Sequence, residues 1–304
     1  MEMSSLSKEG YKYRSTKVIR VIVIVYVGLT LAATLSLWAA GMPLFDAVNH
    51  GFSIAATGGF STKNTSVMYF DSTSIDIIIT VFMALSAMHF GVIFAIVAGR
   101  SFKPLKHSVT KYYLGIIAVC SIIIAFSLKT QGGYESWGGA LLDSTFQTVS
   151  YLTTTGFGQA DNAMWPLLAN TILIFAAMHC GCAGSTTGGI KADRMFIALK
   201  AIHGDFLKRL HPSSLFRTRV GGKVLNDSTV SSVFLYIVLY ILIIFISFIL
   251  LLICGVEIGD AFSGTISSLG NVGPGTGTLG TMGNYSGFSP LVKFIFTIDM
   301  FFGR

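Results

Sequence analysis

The sequence predicts an all-α membrane protein assembled from tandem units of helix, re-entrant pore loop and helix. Three observations lead there. Charged residues make up 12% of 304 and the mean hydropathy is +0.70, whereas a soluble domain carries about 25% charge. Apolar runs long enough for about 30 Å of hydrocarbon recur along the chain. Between them lie short, semi-polar helical stretches, each ending in glycine. This composition excludes a soluble enzyme and a disordered chain.

Long spans are expected at Val21–Ala40, Ile75–Ala98, Tyr112–Leu128 and Val230–Cys254. A fifth, Met164–Cys180, runs into a glycine-rich break, and a sixth starts at Leu291. The short stretches are Phe45–Ala56, Leu141–Thr154 and Asp260–Leu269. Their disposition follows from charge. Five Lys/Arg fall in residues 1–20, four in 99–111 and eight in 190–227, while segments 41–76, 129–163 and 255–290 hold two Lys and eight acids. Lys/Arg excess marks the cytoplasmic side. The three basic segments share that side only if the short helices enter and return on one face. The N-terminus is then cytoplasmic, and its polar, basic first 17 residues do not read as a signal peptide.

The repeated unit is thus predicted over 21–111, 112–229 and 230–304, after a basic segment 1–20. Its turns align: Ala56-Thr57-Gly58-Gly59-Phe60, Thr153-Thr154-Thr155-Gly156-Phe157 and Gly270-Asn271-Val272-Gly273-Pro274, with the last glycines 97 and 117 residues apart. A cation leaving water needs its hydration oxygens replaced. Backbone carbonyls do this where glycine permits the dihedrals that aim them inward. The C-terminal negative end of each short helix adds to the attraction. Carbonyls of Thr57, Gly58, Gly59, Thr154, Thr155, Gly156, Asn271, Val272 and Gly273 are the predicted ion ligands, with the hydroxyls of Thr57, Thr154 and Thr155 in support.

The stretch Gly181-Cys182-Ala183-Gly184-Ser185-Thr186-Thr187-Gly188-Gly189-Ile190-Lys191 cannot continue a regular helix, since glycine costs about 1 kcal/mol per residue against alanine. At membrane depth, such backbone lines a cavity. Helix is expected to resume over Ile190–Ile202. A phosphate-binding loop fails on spacing, as Ile190 precedes Lys191 and no Ser/Thr follows.

These residues are familiar. Together with Gly41–Ala47, Ile54–Thr62, Ala160-Asp161, Met164-Trp165-Pro166, Asn271–Gly275 and Gly303-Arg304, they resemble the Trk/Ktr/HKT superfamily of potassium and sodium uptake proteins, and its bacterial Trk branch most closely. The resemblance runs from residue 18 onward. It implies a potassium-channel-like pore of four units, of which this chain shows what look like the second, third and fourth; a chain with three units is expected not to conduct alone. It implies a transported potassium ion held at the filter residues. It implies a gate built from Gly181, Ala183, Gly184, Ser185, Thr186, Thr187, Gly188, Gly189 and Lys191, with Arg304 facing it. It also implies a homodimer in the bacterial inner membrane, docked on a cytosolic RCK-type ring that binds NAD or ATP. Nothing in the chain itself reads as a nucleotide site.

Smaller features have plainer readings. His89 and His179 are expected as hydrogen-bonded interhelical histidines; His179, Cys180 and Cys182 match no zinc spacing. Asp46, Asp143 and Asp260 are expected to cap the short helices and to stabilise their dipoles, and the outside acids to concentrate cations at the mouth. Trp38, Trp137 and Trp165 fit an outer aromatic belt. Asp299 is open between pairing with Lys293 or Arg304 and facing a cavity. Basic residues 200–223 suit anionic lipid or a cytosolic partner, not nucleic acid. The rival functions are a sodium-selective or sodium-coupled transporter of the same superfamily, an anion transporter with broken helices, and an intramembrane enzyme resting on His179, Cys180 and Cys182.

Overall fold

A computed structural model describes residues 15–99, 102–211 and 218–304. The basic positions Lys8, Lys12, Arg14, Arg100 and Arg217 lie outside the described residues. The architecture is helical and repetitive. The first unit comprises α1 (Ser15–Ala39), α2 (Leu44–Ala56), α3 (Thr73–Ser86) and α4 (Phe90–Gly99). The second comprises α5 (Ser108–Gln131), α6 (Trp137–Leu152), α7 (Leu167–His179) and α8 (Ala192–Leu210). A two-stranded antiparallel hairpin, β1 (Arg219–Val220) and β2 (Lys223–Val224), follows. The third unit comprises α9 (Asp227–Ile253), α10 (Ile258–Gly270) and α11 (Pro290–Gly303).

Helices α1, α5 and α9 have 25, 24 and 27 residues, enough at 1.5 Å per residue to cross the hydrocarbon. Their outward faces are apolar and exposed, as with Leu31, Ile122 and Phe245, which suits contact with lipid. Helices α2, α6 and α10 have 13, 16 and 13 residues and are too short to cross. Each packs on the long helix before it: α2 on α1, α6 on α5, α10 on α9. Units meet through α3 on α6 and α7 on α10. One buried cluster joins Leu37, Ile54, Ile79 and Met83 of the first unit to Phe146, Val149 and Phe157 of the second. Another joins Leu173 and Ala177 to Ile266, Leu269 and Val272.

The expected span Ile75–Ala98 is not one helix. It breaks between α3 and α4, which are bent by 105°. Neither proline nor glycine occupies Ala87–His89. The backbone ladder is instead diverted: the Gly91 N–H donates to His89 Nδ1 at 2.9 Å, and the Ala87 carbonyl accepts from the Cys182 N–H at 2.8 Å. A side chain inserted into the ladder is a recognised cause of a kink. The second inner helix also starts later than expected, because Asn162–Met164 forms a 3₁₀ turn ahead of Pro166. It resumes at Ala192 rather than Ile190.

Candidate ion-binding turns and gate loop

The three short helices end alike. Thr57, Thr154 and Asn271 take left-handed φ of 51°, 54° and 56°; two residues on, Gly59, Gly156 and Gly273 take 67°, 81° and 106°. In each turn the intervening amide folds back on a helix carbonyl: Gly58 N–H to Ser53, Thr155 N–H to Ser150 and Val272 N–H to Ser267, at 2.8, 3.0 and 2.9 Å. This is a helix-terminating motif repeated with the same residue, serine, as acceptor.

The turns lie against one another in chain order. A β-carbon on Gly59 would collide with the Thr155 carbonyl, and one on Gly156 with the Val272 carbonyl. A β-carbon on Gly273 would meet nothing within 4 Å. Glycine is therefore required twice over at positions 59 and 156, by dihedral and by space. The predicted threonine hydroxyls are largely occupied. Thr57 donates to the Ala56 carbonyl, Thr155 pairs with Thr153, and Thr154 accepts from the loop below. The Gly273 carbonyl accepts from Tyr285 at 2.8 Å.

Residues 180–191 separate α7 from α8, with Cys180, Gly184, Gly189 and Lys191 at positive φ. The loop reaches the end of every short helix. The Gly188 N–H donates to Thr154 Oγ1 at 3.2 Å, Thr186 Oγ1 donates to the Ala55 carbonyl at 3.2 Å, and Gly188 packs against the Gly270 carbonyl. Arg304 donates to the Thr186 carbonyl at 2.9 Å. Gly303 abuts Leu269 so closely that no side chain fits there. Ser185 Oγ donates to the Cys182 carbonyl and pairs with Thr187. The rest of the loop is clamped from the side. Asp193 Oδ2 accepts from the Ala183 N–H at 2.5 Å, the Gly184 carbonyl accepts from the Phe90 N–H, and Gly181 packs on Ala87. Tyr236 donates to the Gly189 carbonyl at 3.3 Å and stacks under Arg194.

The bend at His89 and the anchor Asp193 have no counterpart in the sequence reading. An aspartate just after the glycine run was their one visible signal. None of the three acids caps its helix, although Asp46 and Asp260 lie in the first turns of α2 and α10, where the helix dipole favours them. Ser136 caps α6, accepting from the Gly139 N–H, while α2 and α10 have no side-chain cap. The acids turn instead toward the chain that leaves each turn. Asp46 accepts from Thr62 Oγ1 at 2.6 Å and pairs with Lys63 at 3.3 Å. Asp143 accepts from Gln159 at 3.0 Å and Tyr134 at 2.7 Å. Asp260 accepts from the Thr278 N–H at 3.2 Å and from its hydroxyl. Asp299 takes neither expected partner; it accepts from Ser247 of α9 at 2.5 Å. His179 bonds Tyr112 at 2.9 Å and the Cys180 carbonyl. Trp38 and Trp137 are exposed, but Trp165 is buried. Among the described residues no three His, Cys, Asp or Glu come together as metal ligands.

Long apolar helices, each followed by a short helix whose glycine turn lies against its neighbour and rests on one shared loop, define a helical membrane protein of the transport class. The comparisons sharpen this. The family model for TrkH, a cation transport protein, matches residues 1–128 and 116–304, and the chain belongs to that family. It is 35% identical over 286 residues to the Trk system potassium uptake protein TrkH of Salmonella typhimurium, covering 92% of this chain and 58% of the relative. It is 33% identical, with the same coverage, to the TrkH protein of Escherichia coli K12. The crystal structure of the potassium transporter TrkH from Vibrio parahaemolyticus superimposes with a TM-score of 0.89 at 32% identity, over 97% of this chain and 64% of that one. The chain thus spans a little under three-fifths of the length of the curated relatives it matches. Membership of a transport family sets it apart from the enzymes.

Proposed function

We propose that this chain forms three quadrants of a potassium-selective pore for uptake across the bacterial inner membrane. In this reading, peptide oxygens of residues 57–59, 154–156 and 271–273 replace the water around a potassium ion. The loop Gly181–Lys191 is the gate, and Arg304 holds it in the closed position. The observation that carries the reading is the contact of one loop with all three short-helix ends, through Thr154, Ala55 and Gly270. A loop so placed blocks any path along the shared axis, and only by moving can it open one.

The relatives are longer, and a further quadrant belongs between the exposed face of the first unit and the open side of Gly273. The N-terminus would be cytoplasmic. The basic stretches 99–111 and 190–227 on that side suit anionic lipid and a nucleotide-binding RCK-type ring carrying NAD or ATP, with the transporter a homodimer.

Rubidium uptake by the intact gene product in potassium-uptake-deficient cells tests the reading. Uptake should resist excess sodium, vanish with Gly156→Ala and survive His179→Ala. Sodium competing as well as potassium would transfer the assignment to a sodium pathway. Anion uptake without rubidium uptake would end it.

A further inference from the structure

The three acids that fail as caps occupy one repeated place. Asp46, Asp143 and Asp260 each stand 13 residues before Gly59, Gly156 and Gly273. Each lies on the short helix and bonds a residue on the limb beyond the glycine: Thr62 and Lys63, Gln159, Thr278. Asp46 and Asp260 are 4% and 6% exposed. Carboxylates so covered are poor lures for ions in solution, and their hydrogen bonds are charge-assisted, the stronger kind. The shared arrangement is a latch across the mouth of a hairpin. Helix leads into the turn, the limb leads out, and the acid ties the two behind the glycine.

We infer that these acids are positioning residues that fix the spacing of the turn carbonyls, and with it the choice among monovalent cations. This rests on the pore reading above. The carbonyls sit in a segment held at its helix end by the serine-acceptor turn. At its other end, side chains of the short helix tie the limb down: His50 and Asp46 hold Ser61 and Thr62, and Ser263 and Asp260 hold Thr276 and Thr278. With a latch open, the limb gains freedom, and oxygens that must stand at a set distance from a dehydrated ion drift apart. Preorganised oxygen placement, rather than the number of oxygens, is then what is lost. Asp260 is the cleanest case, because Thr278 supplies both bonds and Gly277, at φ 62°, lets the limb close on the carboxylate.

The test is a double-mutant cycle in the intact gene product. Asp260→Ala, Thr278→Val and the pair are compared with Asp260→Asn, each normalised to membrane abundance. The readout is the ratio of rubidium to sodium taken up in cells. Asp260→Ala should lower that ratio about tenfold, the weight of one buried charge-assisted hydrogen bond. The double variant should match the single one rather than multiply it, since the two residues act as a unit. Asp260→Asn keeps an acceptor for the Thr278 N–H and should recover most of the ratio. Three results overturn the inference. One is an unchanged ratio with reduced abundance, which makes the latch a folding contact only. Another is equal damage from Asn and Ala, relieved by high ionic strength, which makes the acid an electrostatic lure. The third is an unsubstituted protein without rubidium preference, which removes the pore reading and the latch with it; the first two leave that reading standing.

Discussion

Phe60 and Phe157 occupy the same position in successive units, each directly after its glycine, yet their surroundings are opposite. Phe157 is fully buried and stacks on the His50 ring at 5.5 Å, within a cluster containing Val149 and Ile54. Phe60 is 82% exposed. The same holds eight residues earlier in the short helices, where Phe52 is exposed and its counterparts Val149 and Ile266 are buried. The motif is therefore not self-sufficient. Each turn is covered by the unit before it, and the first described unit has no such neighbour among the described residues. Each repeated unit is a local sequence whose packing is completed from outside.

The largest effect that sharpens this comparison is at the glycines. Gly59 and Gly156 each face the carbonyl of the next unit, while Gly273 faces open space. Alanine at any of them adopts a left-handed φ that costs about 1–3 kcal/mol. At positions 59 and 156 it also meets backbone that cannot yield, adding about 1–3 kcal/mol of overpacking. Gly59→Ala is expected to abolish rubidium uptake and to lower the thermal midpoint in detergent well below that of Gly273→Ala. Equal loss at the two sites would show that the ring of contacts is not what places the turns.

The second effect separates the phenylalanines. Phe157→Ala in this 304-residue chain is expected to cost about 3–5 kcal/mol, as for a buried aromatic. Phe60→Ala should stay within about 0.5 kcal/mol, as for an exposed site. In a protein carrying the proposed further quadrant the two should converge, because that quadrant would cover Phe60. Thermal or chemical unfolding of the four proteins in one detergent measures both differences. A Phe60 that stays silent in the longer protein breaks the comparison.

The repeat, the short helices and the glycine turns were legible because each leaves a periodic mark: a run too short to cross, a charge imbalance, a glycine at fixed register. The site's finer parts left none. The bend at Ala87–His89 arises from hydrogen bonds diverted to Cys182 and Gly184, about 95 residues away in sequence, and no local pattern of Ala-Met-His announces it. The acids misled for a related reason. An aspartate near a helix start suits a cap, and only the tertiary path of the returning limb shows that Thr62, Gln159 and Thr278 reach it first. Asp299 was undecidable because Ser247, its partner, lies on a helix 52 residues away.

The smallest expected effect distinguishes the three latches from one another. Asp46 alone has a cation, Lys63, among its partners; Gln159 and Thr278 are neutral. The Thr62 hydroxyl, and then Lys63, hold the Asp46 carboxyl below the usual carboxylate range against the opposing effect of burial. A carboxyl depressed in the folded state stabilises it above the unfolded value, and the contribution disappears as pH falls through the folded value. Acidification below about pH 4 should therefore weaken the first unit's latch. Lys63 is partly exposed, so the charge pair itself contributes at most about 1 kcal/mol. Lys63→Met should accordingly narrow the gap in thermal midpoint between pH 7 and pH 3 by a small amount, whereas Thr278→Val should leave that contribution intact. If Lys63→Met leaves the acid sensitivity unchanged, the hydroxyl of Thr62 alone sets it, and the first latch is no more ionic than the other two.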